Sequence, residues 1–217
     1  MNVTDFLDDC MPRLSGAEEA LTTQEIFAAI RQFCEEGLAW VYDFGPVTIT
    51  ALDTHVTINV SSGLPTDTKA GYVLKTEFRS SNTDNFKDFL PTLSLPSNPD
   101  DTATDPTSYY AESPSSLLLI PQPTETHTNG FRAKVSVIPT ATTVTLPDEF
   151  ETHWRDAVID GVMARMFNMP NKPWSNAQLA LLHGRRFRNH IKRTRDIVKR
   201  RYGTDSSGWT FPNFACQ

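Results

Sequence analysis

The chain is 217 residues long, with 39% hydrophobic and 21% charged residues and a net charge of −6. That size fits one ordinary domain or two small ones, with enough apolar material for a packed core and little to spare. No apolar run approaches the roughly 20 residues of a membrane span, and Met1–Asp5 has neither the basic flank nor the apolar segment of a signal peptide; a soluble product, intracellular when made, is expected.

In chain order, Thr4 to Leu14 reads as a short helix interrupted by Pro12 and closed by Ser15-Gly16. Thr22-Thr23-Gln24-Glu25 has the form of a capping box. After it, Ile26, Phe27, Ile30, Phe33, Cys34, Gly37, Trp40 and Val41 recur at helical spacing, predicting a helix of about 20 residues that Phe44-Gly45-Pro46 ends. The period then changes to two. Val47, Ile49, Ala51 and then Val56, Ile58, Val60 alternate with polar residues, predicting two strands paired as a hairpin. Gly71–Phe78 predicts a third strand. Residues 80–116, rich in Asn, Asp, Ser, Thr and Pro, read as a long loop of the kind that is functional or disordered. Ser116–Pro121 and Phe131–Ile138 predict the last strands, with Gly130 in the turn between them and Thr140–Thr145 as a possible extension.

From Leu146 to Tyr202 the pattern is two helices around a proline-rich corner. Asp148 and Glu151 offer a capping box for the first, whose stripe runs through Phe150, Trp154, Ala157, Val158, Gly161, Val162 and Met166. Met169–Trp174 stops it, because proline lacks an amide proton and restricts its predecessor. Ser175-Asn176-Ala177-Gln178 launches the second helix, with Leu179, Ala180, His183, Phe187, Ile191, Thr194 and Val198 on one face and Gly203 as C-cap. Helices, then strands, then helices give an α+β fold: a helical bundle (1–45 and 146–202) with an inserted antiparallel β module (46–145) carrying the long loop, and an extended C-terminal tail (203–217).

No HExxH, GxSxG, GxGxxG, P-loop or CxxC occurs, so no catalytic residue, metal site or cofactor is assigned. His183 and His190 lie seven apart, about 10 Å along a helix, too far to share a metal unaided. Asp100, Asp101 and Asp105 lack EF-hand spacing and read as a solvated acidic loop. Cys10, Cys34 and Cys216 are odd in number and lack metal spacing, and the first two fall on apolar helix faces, as reduced core residues do. Gly161 and Gly184 each cost a helix about 1 kcal/mol; for Gly161, inside the apolar stripe, close approach of a second helix is the expected reason.

Charge is distributed unevenly. Residues 185–217 hold nine of the 20 Lys and Arg and two of the 26 acids, a net +7, leaving −13 on the rest of the chain. The basic helix 185–201 reads either as a phosphate-binding element or as a protein-docking face. Docking is favoured, since no aromatic stacking platforms interleave the arginines and the body is acidic. Trp209, Phe211 and Phe214 place three aromatics in six residues of a tail that cannot form a core by itself, which reads as an anchor for a partner surface.

Leu146-Pro147-Asp148-Glu149-Phe150, Asp160-Gly161, Ala164, the corner Pro170-Asn171-Lys172-Pro173-Trp174, Ala180, Phe187 and Ile191 resemble the C-terminal half of head-to-tail adaptor (connector) proteins of tailed bacteriophages. Pro12-Arg13, Phe33-Cys34, Trp40 and Phe44–Pro46 are similar to the N-terminal part, so the resemblance covers 10–78 and 146–202. It implies a non-enzymatic virion protein at the head–tail junction, forming a homo-oligomeric ring, commonly of twelve copies. Such a ring sits between the portal protein and a tail or nozzle protein and lets genomic DNA pass without sequence-specific binding. On that resemblance, Arg185, Arg186, Arg188, Lys192, Arg193, Trp209, Phe211 and Phe214 are expected at the portal, Phe150, Trp154, Gly161, Trp174 and Phe187 in ring helix packing, and Tyr109 and Tyr110 toward tail components. The alternative is a nucleic-acid-binding protein using the basic helix; a tail-associated hydrolase is a third class.

Overall fold

The computed structural model describes residues 1–92, 101–142 and 144–202. Two 3-10 turns (Val3–Phe6 and Met11–Arg13) flank α1 (Leu7–Cys10), so the first predicted helix is broken where Pro12 stands. The long helix α2 spans Glu19–Gly37, earlier at both ends than expected. Thr22 is not its cap: the Thr22 hydroxyl donates to Glu18 O at 3.0 Å within the helix. Leu38 takes a left-handed conformation (φ 56°, ψ 33°) and stops α2, so Trp40 and Val41, which continue the helical spacing, belong instead to the approach to a strand.

That strand, β1 (Val41–Ile49), carries the Phe44-Gly45-Pro46 segment within it rather than after a helix. Gly45 has φ +94°, its peptide bond to Pro46 is cis, and a Cβ there would lie 2.8 Å from Phe131 O. Only glycine fits at this register shift in the sheet. β1 does not form the expected hairpin with β2 (His55–Thr57). It pairs with β10 (His127–Pro139), while β2 pairs with β8 (Ser116–Ile120). Alternation identifies the buried face of a strand; it leaves the partner open. Gly130 lies inside β10, and β8 and β10 are in different sheets.

The first sheet has the order β1-β10-β3-β4, all antiparallel, with β3 at Thr68–Phe78 and β4 at Lys87–Asp88. The second has the order β2-β8-β7-β5, with β5 at Leu90–Pro91 and β7 at Ser108–Ser113; the β5–β7 pair is parallel. A small parallel pair joins β6 (Thr102–Ala103) to β9 (Gln122–Pro123). Four short strands and the start of a fifth therefore lie within the expected loop 80–116; its residues 93–100 lie outside the described residues. Thr145 does not extend β10 but bridges Asn2. The expected boundary between residues 45 and 46 falls inside β1.

After β10 come α3 (Glu149–Thr152), α4 (Arg155–Phe167) and α5 (Ala177–Tyr202). α2, α4 and α5 pack on one another, and α2 also meets β10. The apolar cluster continues without interruption from these helices, through Phe33, Phe150 and Val162, to Phe44, Val135 and Val137 of the first sheet and Leu117 and Leu119 of the second. Phe89 connects the sheets, 5.7 Å from Phe78, 5.5 Å from Tyr109 and 6.3 Å from Phe131 between ring centres. On Phe78, at 5.0 Å between ring centres, His127 is buried, with Nδ1 facing Ser80 O at 3.0 Å and Nε2 facing Thr104 O at 2.9 Å.

Candidate interaction surfaces

The corner between α4 and α5 is fixed by its own backbone. Asn171 adopts φ 59°, Asn176 N–H donates to Phe167 O at 2.9 Å, and Ser175 N–H donates to Lys172 O at 3.0 Å. The cap of α5 is Asn176 rather than Ser175: its Oδ1 accepts from Gln178 and Leu179 N–H, each at 3.1 Å. Trp174 closes the corner with its ring 8% exposed and the Lys172 ammonium 5.7 Å from the ring centre.

The expected close approach at Gly161 is present. A Cβ there would sit 2.9 Å from Phe187 Cε2 and 3.0 Å from Ala29 Cβ, so α4 touches α5 and α2 through a missing side chain. Gly184 differs, since its Cβ would meet only Ala164 Cβ at 3.8 Å. Phe150, Gly161, Trp174 and Phe187 are buried within this one chain, and Trp154, half-buried, lies 5.6 Å from Phe33. These five residues join the helices of a single copy to each other.

Asp160 sits among them, 8% exposed. Its Oδ1 is 2.7 Å from His183 Nδ1 and its Oδ2 is 3.7 Å from His190 Nε2. The two histidines, two turns apart on α5, thus converge on one carboxylate of α4 and lock the register of the helices. An acid in the middle of an apolar stripe was the signal available beforehand, because a buried charge demands a partner. Among the described residues no group of three or more His, Cys, Asp or Glu is arranged to hold a metal.

On its outward faces α5 presents Arg185, Arg186, Arg188, Lys192 and Arg193, all exposed, and none has an ion pair among the described residues. Phe187, the aromatic inside this run, points inward. Exposed leucines cluster at the start of the same helix: Leu181 is 61% exposed, and Leu179 and Leu182 are also open to solvent. Leu181 lines a shallow groove together with Gly161, Ala164, Ala177, Ala180 and Gly184, with Arg165 and Arg188 also in its lining. Trp209, Phe211 and Phe214, and the expected cap Gly203, lie outside the described residues.

Tyr109 lies on β7 and is 5% exposed against Phe89, and Tyr110 is half-buried; the first belongs to the core, not to an open loop. Burial raises the Tyr109 hydroxyl pKa, opposed by a hydrogen bond with Thr76. A cleft of about 520 Å³ opens over this tyrosine between β3 and the β5–β7 edge. Its lining is largely apolar, with Tyr72, Leu74, Phe89, Pro91, Ala111 and Pro114, and Lys199 reaches it from the last turns of α5. A second cleft of about 270 Å³, on the solvent face of the first sheet, is lined by five charged side chains beside Phe44 and Pro46. There Glu77 receives hydrogen bonds from Lys75 at 2.7 Å and from Arg132, and Lys134 pairs with Asp43. Burial alone would raise the Glu77 pKa; the Lys75 and Arg132 hydrogen bonds bring it below the ordinary carboxylate range.

No helix among the described residues is long and apolar enough to cross a membrane. A family model described as SU10 adaptor protein matches residues 1–208. No curated protein matches the chain.

Proposed function

The chain belongs to the SU10 adaptor protein family, and on that premise we propose a bacteriophage structural protein of the head–tail junction. It forms a ring of copies, twelve by the family pattern, between the portal at the capsid vertex and the tail, and the ring surrounds the path of the genome. The observation that carries the reading is the helix α5. Its apolar stripe is consumed inside the chain, yet it still exposes five basic residues, without ion-pair partners among the described residues, and three leucines. Such a surface suits permanent neighbours rather than water.

In this arrangement the leucine patch and small-residue groove meet the adjacent copy, and the basic face with Trp209, Phe211 and Phe214 meets the portal. Tyr110 and the strands around it face tail components. The chemistry is packing and docking, with no bond made or broken. Removing residues 204–217 abolishes joining to portal rings while the circular dichroism spectrum stays that of the folded chain. A truncated protein that still decorates portals, seen by electron microscopy of the mixture, overturns the docking role of the tail.

The exposed arginines also support a second reading, nucleic-acid binding through 185–201. Binding of duplex DNA by the isolated chain, falling steeply between about 50 and 200 mM salt, favours that reading; retention of the chain on portal rings with no DNA shift favours the adaptor.

A further inference from the structure

We propose that the apolar cleft between β3 and the β5–β7 edge seats the chain's own aromatic segment, residues 209–214, in the unassembled molecule. The cleft's chemistry fits aromatic and proline side chains. Rings and prolines line it (Tyr72, Phe89, Pro91, Tyr109, Pro114), and Ala111 leaves the space open. Tyr72 at its mouth is 55% exposed, so apolar surface there lacks cover from the described residues. The volume of about 520 Å³ lies within the range that encloses a small-molecule-sized group.

Chain geometry selects the occupant. The described chain ends at Tyr202, in the same helix as Lys199 of the cleft lining and three residues beyond it. Val198 packs against Leu74, another lining residue, which places the end of α5 beside the cleft. Six residues, 203–208, separate Tyr202 from Trp209 and span up to about 20 Å when extended. By contrast, the small-residue groove is lined by α5 no further than Arg188, about 21 Å back along the helix axis from Tyr202. The cleft of the first sheet is about half as large, at about 270 Å³, and is lined by five charged side chains, Asp43, Lys75, Glu77, Arg132 and Lys134. Charge agrees as well. Residues 203–217 carry one acid, Asp205, and no base, and Lys199 at the cleft has no ion pair among the described residues.

This seating is independent of the portal. Under the adaptor reading it means that the segment is held on its own chain until a partner competes for it, so premature association through exposed aromatics is suppressed.

The test uses the full chain labelled with 5-fluorotryptophan. Four fluorine signals arise from the four tryptophans, and Trp209 is identified by the signal lost in Trp209→Phe. The expected result is a Trp209 signal displaced from the solvent-exposed position, unchanged on hundredfold dilution, which moves to the exposed position in Ala111→Glu. Ala111 is exposed on β7, and unmoved Trp40, Trp154 and Trp174 signals show that the variant is folded. A Trp209 signal at the exposed position in the unaltered chain overturns the proposal, as does a displaced signal indifferent to Ala111→Glu. Displacement lost on dilution overturns it in favour of a second copy as host. No portal is present, so the outcome is separate from that of the adaptor reading.

Discussion

Two glycines of the helical layer carry opposite predictions from one substitution. Glycine to alanine in a helix interior gains about 1 kcal/mol from propensity alone. At Gly184 nothing opposes that gain, because the new Cβ meets Ala164 at an ordinary 3.8 Å, so Gly184→Ala stabilises by up to ~1 kcal/mol. At Gly161 the Cβ enters a space already occupied. The Phe187 ring edge at 2.9 Å is 5% exposed and stacked 6.1 Å from Phe33, and Ala29 Cβ at 3.0 Å moves only if α2 moves. Overpacking of this kind costs about 1–3 kcal/mol, which cancels the propensity gain and leaves Gly161→Ala destabilised by about 1 kcal/mol. The two variants then differ by roughly 2 kcal/mol, or about 4–8 °C in midpoint for a chain of this size. Urea unfolding followed by circular dichroism, under conditions where the chain is monomeric, measures both. Equal signs, or a Gly161→Ala protein more stable than the parent, would refute the claim that α4 approaches α2 and α5 through that missing side chain.

Other substitutions test neighbouring contacts. Asn176→Ala removes the acceptor for two amides at the start of α5 and lowers stability by about 1 kcal/mol in the same unfolding assay; no change would show that the corner backbone suffices. Asp160→Ala leaves His183 without its 2.7 Å partner and costs about 1–3 kcal/mol, with His183 and His190 ring resonances shifting together; movement of His183 alone would remove His190 from the cluster. Burial, with Asp9 adding to it, pushes the Cys10 thiol up to about 12, and burial pushes Cys34 higher still. Because the thiolate is the reactive form, neither reacts with iodoacetamide at pH 8 until the chain is unfolded; rapid native labelling of either, read by peptide mass spectrometry, would contradict the burial.

The second helix of the hairpin was legible because its periodicity and its tertiary role agree; the first breaks at His153 into α3 and α4, and Asp148 makes no side-chain cap bond. Ala180, Phe187, Ile191, Thr194 and Val198 repeat at helical spacing and are the buried residues of α5. Where the two diverge, the sequence pattern misleads. Trp40 and Val41 prolong the spacing of α2 by coincidence, while Leu38 has already turned the chain. β1 and β2 look like a hairpin because both alternate, yet their partners stand dozens of residues away. The strands within 80–116 are mostly two residues long and owe their order to Phe89 and Tyr109 packing across the sheets, a long-range contact that composition does not encode. Of the expected contact residues, the basic ones were legible as exposed because they fall off the apolar stripe; Tyr109 was not, because an aromatic in a polar stretch looks like a loop residue until its sheet is known.

The charge on α5 argues for a use outside the fold. Arg188 and Lys192, and Arg195 and Lys199, are like charges four residues apart on one helix, and such pairs are destabilising by about 0.2–0.5 kcal/mol each. Asp196 is the one carboxylate on this helix, within three or four residues of Lys192, Arg193, Lys199 and Arg200, and it offsets only part of the repulsion; the apolar stripe already anchors the helix, and the cations beyond that stripe are exposed. Only the last turn, with Lys199, Arg200 and Arg201, complements the helix dipole. A chain with −13 on the remainder of its surface could have neutralised α5 locally with carboxylates, and among the described residues those at Glu77 and Asp43 are instead paired with Lys75, Arg132 and Lys134 of the sheet. The basic face is therefore exposed at some cost to stability, which agrees with the docking role proposed for it.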